Sequence, residues 1–187
     1  MIEFSIMKHS HFHIIPQDKA PKILNLIVEI RQGESNKYEY NKDYGILELD
    51  RVLYGPMYYP VNYCDVPSTW NEGDNDPLDA VVFSTHPISP GAMVRGRVIG
   101  IMEMIDNGEE DYKIICVNNK DPRFDHIDHV DHLAPYDRKD IQTFFETYKI
   151  PQTGPGTVKI GRFLGPEIAY EHINKAMEVY KKKFKSD

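Results

Sequence analysis

From residue 23 to residue 117 the apolar side chains come in short runs, several alternating with polar ones and each ending at turn residues, and this limits the fold more than any other feature. Residues 23–31 (ILNLIVEIR) are rich in β-branched side chains and stop at Gln32-Gly33. Residues 38–40 are expected to pair with that run, and residues 45–53 (GILELDRVL) alternate apolar and charged positions. Residues 81–83, 93–104 and 112–117 read as further strands. Asn107-Gly108 lies between two alternating runs, the sequence of a tight hairpin. Thirteen prolines and twelve glycines punctuate the chain. Short strands joined by turns predict a barrel or a sandwich, not a βαβ sheet.

The last third changes period. In residues 137–149 (DRKDIQTFFETYK), Ile141, Phe144, Phe145 and Tyr148 fall at i, i+3, i+4 and i+7, one face of a helix that Pro151 closes. Ile173, Ala176, Met177, Tyr180 and Phe184 repeat the pattern in a C-terminal helix over 166–185, whose closing lysines suit the helix dipole. The expected architecture is mainly β or α+β, a small barrel carrying two helices.

A chain of 187 residues fits one domain, 1–187, in which roughly 70% of the extended chain's surface can be buried. No run approaches the ~18 apolar residues of a membrane helix, and the N-terminal residues lack a basic region followed by an apolar one. Membrane and secretory classes are therefore not expected. Cys64 and Cys116 show no metal-ligand spacing and read as small residues of a reducing, cytoplasmic compartment. A formal charge of −7 argues against a nucleic-acid surface.

The segment Glu72-Gly73-Asp74-Asn75-Asp76-Pro77-Leu78-Asp79 gathers three aspartates in six residues just ahead of the apolar run at 80–83. A solvated acidic loop and a site for a hard cation both fit. A calcium EF-hand loop does not, because Leu78 stands at its fifth place and Asp79 where glycine is required. Mg²⁺ is satisfied by a few carboxylates together with water and phosphate oxygens. Asp106 to Lys113 (DNGEEDYK) forms a second acidic set, readable as an ordinary charged hairpin, yet Asp111 and Lys113 share a strand face. Lys37 and Glu39 repeat that spacing, and Glu29 interrupts an apolar strand, where a carboxylate is costly unless paired or metal-bound. Arg51 shares a strand face with Leu47, Leu49 and Leu53, which allows it to point inward or to sit at the surface. Tyr59 and Tyr63 stand in a proline-containing loop, and Tyr148 lies on an apolar helix face beside Lys149.

Taken together, these residues resemble the soluble (type I) inorganic pyrophosphatases. The family pattern Asp-x-Asp-Pro-hydrophobic-Asp-hydrophobic is matched by Asp74-Asn75-Asp76-Pro77-Leu78-Asp79-Ala80. It is reinforced in order by VEI around Glu29, KYE at 37–39, LDR ending at Arg51, MYYPVNY at 57–63, DNGEEDYK at 106–113 and FFETYK ending at Lys149. The resemblance implies a closed five-stranded OB-like barrel with flanking helices, and Mg²⁺-dependent hydrolysis of pyrophosphate to two orthophosphates by a metal-activated water. It implies several Mg²⁺ ions per site, with Mn²⁺ or Zn²⁺ as substitutes, and a homo-oligomer. Asp74, Asp79 and Asp111 would hold the metals that activate water, and Asp106 and Glu29 would help bind further ions. Asp76 would act as the general base, with Tyr63 nearby. Lys37, Arg51, Tyr148 and Lys149 would grip phosphate, with Tyr59, Glu39 and Lys113 supporting them. Two departures stand out: an N-terminal extension, residues 1–22, and a segment after Lys149 without the tryptophans common there.

Two other functions are weighed against this one. An OB-fold module for single-stranded nucleic acid needs a basic groove with exposed aromatics, which an acidic barrel face does not supply. A nucleotide or polyphosphate hydrolase is closer in chemistry, but no nucleoside-binding motif supports it. The triplets His9, His11, His13 and His126, His129, His132 could bind a transition metal, and read more simply as surface or subunit-contact residues.

Overall fold

The computed structural model describes residues 11–41, 44–73 and 75–185. Among the described residues nine strands run in chain order: β1 Ile23–Ile30, β2 Asn36–Asn41, β3 Ile46–Val52, β4 Asn62–Asn71, β5 Asp76–Phe83, β6 Met93–Asp106, β7 Glu109–Glu110, β8 Lys113–Asn118 and β9 Val158–Leu164. The helices are α1 His11–Ile14, α2 Pro135–Thr147, α3 Ile150–Thr153 and α4 Pro166–Phe184, with short 3₁₀ turns at Pro122–Phe124 and Val130–His132. Strands β1, β4, β5, β8 and β6 form a ring, closed where β6 pairs back onto β1. All its pairings are antiparallel except β5 with β8, which run parallel. The fold is thus a closed five-stranded mixed barrel with flanking helices, and closure removes the unpaired edges that an open sheet would expose.

Alternation along the strands builds a core on each face. Val81 and Phe83 of β5, with Ile115 and Val117 of β8, face the cluster that takes in Ile141, Phe144 and Phe145 of α2. Ala80 and Val82, with Ile114 and Cys116, face the other way, towards Ala169 and Ile173 of α4. The two helical periods therefore cover opposite faces of the same strands. Cys64 and Cys116 are free and buried in the second cluster, where burial pushes both thiols up from their usual range.

Three local readings needed correction. Residues 38–40 pair with β3 and not with β1; β2 and β3 make a two-stranded sheet of their own. Tyr63, expected in a loop, lies in β4, a strand broken by a register shift between Val66 and Asn71. The Thr69 hydroxyl fills that gap, donating to Val66 O (2.6 Å) and accepting from Leu78 N (3.0 Å), where Pro67 and Pro77 have no N–H to offer. Strand β9 was not anticipated. It pairs with β6, but Gly161 interrupts its alternation and most of its side chains are not buried.

The Asn107-Gly108 hairpin forms as expected, with φ of 51° and 89° and Asp106 opposite Glu109. Gly100 of β6 lies at the register shift between β6 and β8, where the chain is closely approached. A Cβ there would come within 2.5 Å of Leu164 O and 2.8 Å of Val130 Cβ. Gly100→Ala is expected to destabilise the barrel by about 1–3 kcal/mol, as overpacking does. Urea unfolding measures it; an unchanged midpoint would contradict this close approach.

Candidate active site

Asp79 follows Pro77 and Leu78 into β5, and its register neighbours are Asp65 on β4 and Lys113 on β8. One row across three strands therefore reads carboxylate, carboxylate, ammonium, on the face that also carries Val81 and Ile115. Lys113 is 2% exposed and donates to Asp79 Oδ2 and Asp111 Oδ1, at 2.5 Å each. Burial works against its charge, but the two carboxylates overcome that and hold its pKa above the usual lysine range. The Tyr63 ring lies 5.5 Å from the same ammonium; its phenol is pushed up by burial and then by Asp79 and Asp111, which keeps it neutral.

The row forms one wall of a cavity of about 360 Å³. Twelve of the residues singled out in the sequence line it: Glu29, Lys37, Glu39, Arg51, Tyr63, Asp76, Asp79, Asp106, Asp111, Lys113, Tyr148 and Lys149. Tyr59 stands behind them in the core, 2% exposed, its ring 5.7 Å from that of Tyr63. Asp74 lies outside the described residues. Its neighbour Asn75 takes a left-handed turn, φ 58°, which sends the chain into β5 with the exposed Asp76 at its head. Asn71 Nδ2 donates to Glu110 O at 3.3 Å, joining this turn to the β6–β7 hairpin.

On the opposite wall, the register shift between Lys37 and Tyr38 leaves Asp50 without a cross-strand partner, beside the Lys37–Arg51 pair. Asp50 Oδ2 accepts from Arg51 Nη1 (2.5 Å) and Lys37 Nζ (3.4 Å), while Lys37 also pairs with Glu39. Lys149, just past α2, pairs with Asp106. Every cation of the cavity thus has an acidic partner.

Sequence reasoning missed Asp50, Asp65 and Tyr40, and it gave no site role to Asn107 and Glu109 although both fall in the second acidic set. Asp65 is 8% exposed and sits in an apolar-looking strand; its alternation with Tyr63 was the available signal. Tyr40 enters through its main chain, since its N–H donates to Glu29 Oε1 at 2.7 Å.

The lining holds eight carboxylates (Glu29, Glu39, Asp65, Asp76, Asp79, Asp106, Glu109, Asp111) against four cations (Lys37, Arg51, Lys113, Lys149). Burial, with Asp79 next, raises the Glu29 carboxyl to about 8. Among the described residues no three His, Cys, Asp or Glu side chains come close enough together to hold a metal ion as they stand. The donor set nonetheless fits hard divalent cations. It is all oxygen, it is in excess over the local positive charge, and Asp106 Oδ1 is buried with no hydrogen-bond partner. Such cations bind through a few carboxylates and substrate oxygens without a protein cage. The histidines lie elsewhere: His126 and His132 are exposed, and His132 pairs with Asp128 at 2.8 Å. His9 is outside the described residues, as is the side chain of His11.

The family model for inorganic pyrophosphatase matches residues 26–181. The chain belongs to the inorganic pyrophosphatase family. The inorganic pyrophosphatase of Geobacillus stearothermophilus is 45% identical over 159 residues, covering 85% of this chain and 94% of that one. Soluble inorganic pyrophosphatase 3 of Arabidopsis thaliana is 40% identical over 94% of this chain and 80% of its own length. The crystal structure of the Thermus thermophilus inorganic pyrophosphatase superposes with a TM-score of 0.84 at 40% identity, covering 89% of this chain and 97% of that one. Membership makes the protein an enzyme, a phosphoanhydride hydrolase. Among the described residues no helix is long and apolar enough to cross a membrane.

The environment of Glu29 sets a pH dependence. With a folded pKa of about 8 against 4.5 in the unfolded chain, Glu29 binds its proton more tightly when folded. The stability this contributes is complete below pH 4.5 and is lost as pH rises towards 8. In chelator, the unfolding midpoint of Glu29→Gln should fall less than that of the parent chain over this window. Parallel curves for the two would count against a raised Glu29.

Proposed function

We propose that the chain hydrolyses inorganic pyrophosphate to two orthophosphates with Mg²⁺ as its cofactor. The observation that carries this reading is the single cavity of about 360 Å³ in which eight carboxylates meet four cations. A nucleotide-free, strongly charged anion that arrives with metal ions satisfies both sets at once. Mg²⁺, when bound, supplies charge neutralisation of the pyrophosphate oxygens and acidification of the attacking water.

In this reading Asp74, Asp79 and Asp111 would hold the ions that serve the water, and Asp106 and Glu29 would hold those that come with substrate. Asp76, exposed at the head of β5 and lining the cavity, takes the proton of the attacking water as general base. Tyr63, a neutral phenol beside Asp79, stays a donor at that end. Lys37 and Arg51 on the hairpin wall, with Lys149 and the Tyr148 hydroxyl, bind the phosphoryl oxygens and stabilise the leaving phosphate, arginine in a bidentate manner. Lys113 balances Asp79 and Asp111 from beneath, while Glu39 orients Lys37 and Tyr59 supports Tyr63. Asp50 holds Lys37 and Arg51 together from behind. The reading extends to a cytoplasmic homo-oligomer, and the two buried, free thiols suit a reducing compartment.

Phosphate release from pyrophosphate should require Mg²⁺, vanish with chelator and be far slower on ATP. Equal rates on ATP and pyrophosphate would favour the nucleotide hydrolase instead. Asp76→Asn is expected to lower kcat by about 10²–10⁴-fold, the range of general-base catalysis, with Mg²⁺ binding measured by calorimetry largely retained. Near-normal turnover in that variant removes the general-base role.

A further inference from the structure

The β2–β3 hairpin carries Lys37, Glu39 and Arg51, yet no hydrogen-bonded ladder joins it to the barrel. An isolated two-stranded hairpin is marginal in water, so its position must be set by side chains and by a few single bonds. At its open end Leu53, 8% exposed, enters the core beneath the cavity, and Leu53 N donates to Ser35 O. Its other half is held by a different part of the molecule. Tyr40, 7% exposed, joins Phe12, Trp70 and Tyr180 in a separate aromatic cluster, with Leu47 of the facing strand packed against it.

Phe12 comes from α1, ahead of the barrel, and Tyr180 from the C-terminal half of α4. The Phe12 ring stands edge-on to Tyr180 at 5.5 Å and to Trp70 at 6.2 Å, and Trp70 meets Phe184 at 5.0 Å. His13 Nδ1 is hydrogen-bonded to the Tyr180 hydroxyl at 2.7 Å, fixing α1 to α4. Phe12 is 1% exposed, which makes it a core residue of this cluster although it precedes the first barrel strand. The two roles of Tyr40 then meet. Its ring belongs to the aromatic cluster, and its N–H donates to Glu29 Oε1 within the cavity at 2.7 Å.

We propose that the N-terminal segment, through Phe12 and the aromatic cluster it shares with Tyr40, clamps the β2–β3 hairpin in place, so that Phe12 is a positioning residue for the binding of pyrophosphate by Lys37 and Arg51. The identity of the ligand rests on the function proposed above; the clamp itself does not. Removing the Phe12 ring leaves a gap in the aromatic cluster that holds Tyr40, which the surrounding groups fill only in part. The hairpin then spends less time where Lys37 and Arg51 face the barrel carboxylates. Apparent affinity falls in proportion to that competent fraction, while the barrel residues that act on bound substrate stay in place.

The test uses the full chain and two readouts: initial rates on pyrophosphate with Mg²⁺, and amide hydrogen exchange resolved by segment. For Phe12→Ala, exchange in 36–41 and 46–52 should accelerate about tenfold while β5 and β8 keep their protection. A tenfold loss of competent fraction raises KM about tenfold with kcat within about twofold. Phe12→Leu, which refills most of the volume, should return both readouts towards the parent values. If the alanine variant does not fold, Phe12→Val carries the same comparison. Hairpin exchange that matches the parent chain overturns the clamp. So does exchange that accelerates everywhere while kcat falls with KM, which is general destabilisation. A parent chain that releases no phosphate overturns the functional reading instead, and the exchange comparison still decides the clamp.

Discussion

The buried ammonium of Lys113 is the interaction on which the rest of the site depends. A lysine 2% exposed is tolerable only with compensating charge, and Asp79 and Asp111 supply it. Their placement follows from the one parallel pairing in the barrel, which sets Asp79 of β5 beside Lys113 of β8. A slip of one residue along either strand would turn Lys113 or Asp79 to the opposite face, among Ala80, Cys116 and the side chains of α4. Charge pairing and apolar alternation therefore demand the same register. The site is a consequence of how the barrel closes, since the residues above Asp79 and Lys113 on the same face, Val81 and Ile115, are part of the α2-facing core.

The opposite wall is built by a looser logic. The β2–β3 hairpin exposes Ile46, Leu49 and Val52 to solvent, which leaves it little apolar area with which to fix itself. What fixes it is specific: the extra residue Asp50 that draws Lys37 and Arg51 together, the Tyr40 N–H on Glu29, and Tyr40 and Leu53 in two different clusters. One wall of the cavity is rigid because it is barrel, and the other is positioned by a handful of contacts. Segments with few buried apolar contacts lie at the low end of local stability, where binding elements that move are found.

Much of this was legible in the sequence because it obeys short-range rules. The Asp74-to-Ala80 pattern, the Asn107-Gly108 turn and the two helical periods each declare themselves within a dozen residues, and twelve of the proposed site residues do line one cavity. The failures came from pairings that only tertiary structure decides. Residues 38–40 prefer β3 because a turn near Gly45 brings it alongside, whereas β1 is already paired on both sides by β4 and β6. Strand β9, with Gly161 inside it and glycines at 154 and 156 before it, is too interrupted to declare itself in the sequence, and it is fixed by its pairing with β6. Asp65 was hidden between Cys64 and Val66, and Asp50 inside an alternating run whose register shift no pattern announces. Thr69 was missed for the same reason, its hydroxyl standing in for main-chain bonds that two prolines cannot make.

The charge balance ties the two walls together. Each cation that could face a phosphate is engaged by an acid of this chain: Lys37 by Glu39 and Asp50, Arg51 by Asp50, Lys113 by Asp79 and Asp111, and Lys149 by Asp106. Turning Lys149 to an anionic ligand would strand Asp106, whose other oxygen is already buried without a partner. An unpaired charge in such a site costs several kcal/mol, about what one good ion contact to a phosphate returns. A bare polyanion would therefore gain little, because every lysine it attracts abandons a carboxylate. An anion that brings its own divalent cations leaves the carboxylates satisfied and the lysines free to turn. Under the proposed function, the excess of acids over bases in the cavity would make binding depend on both components and would select against anions that do not carry metal.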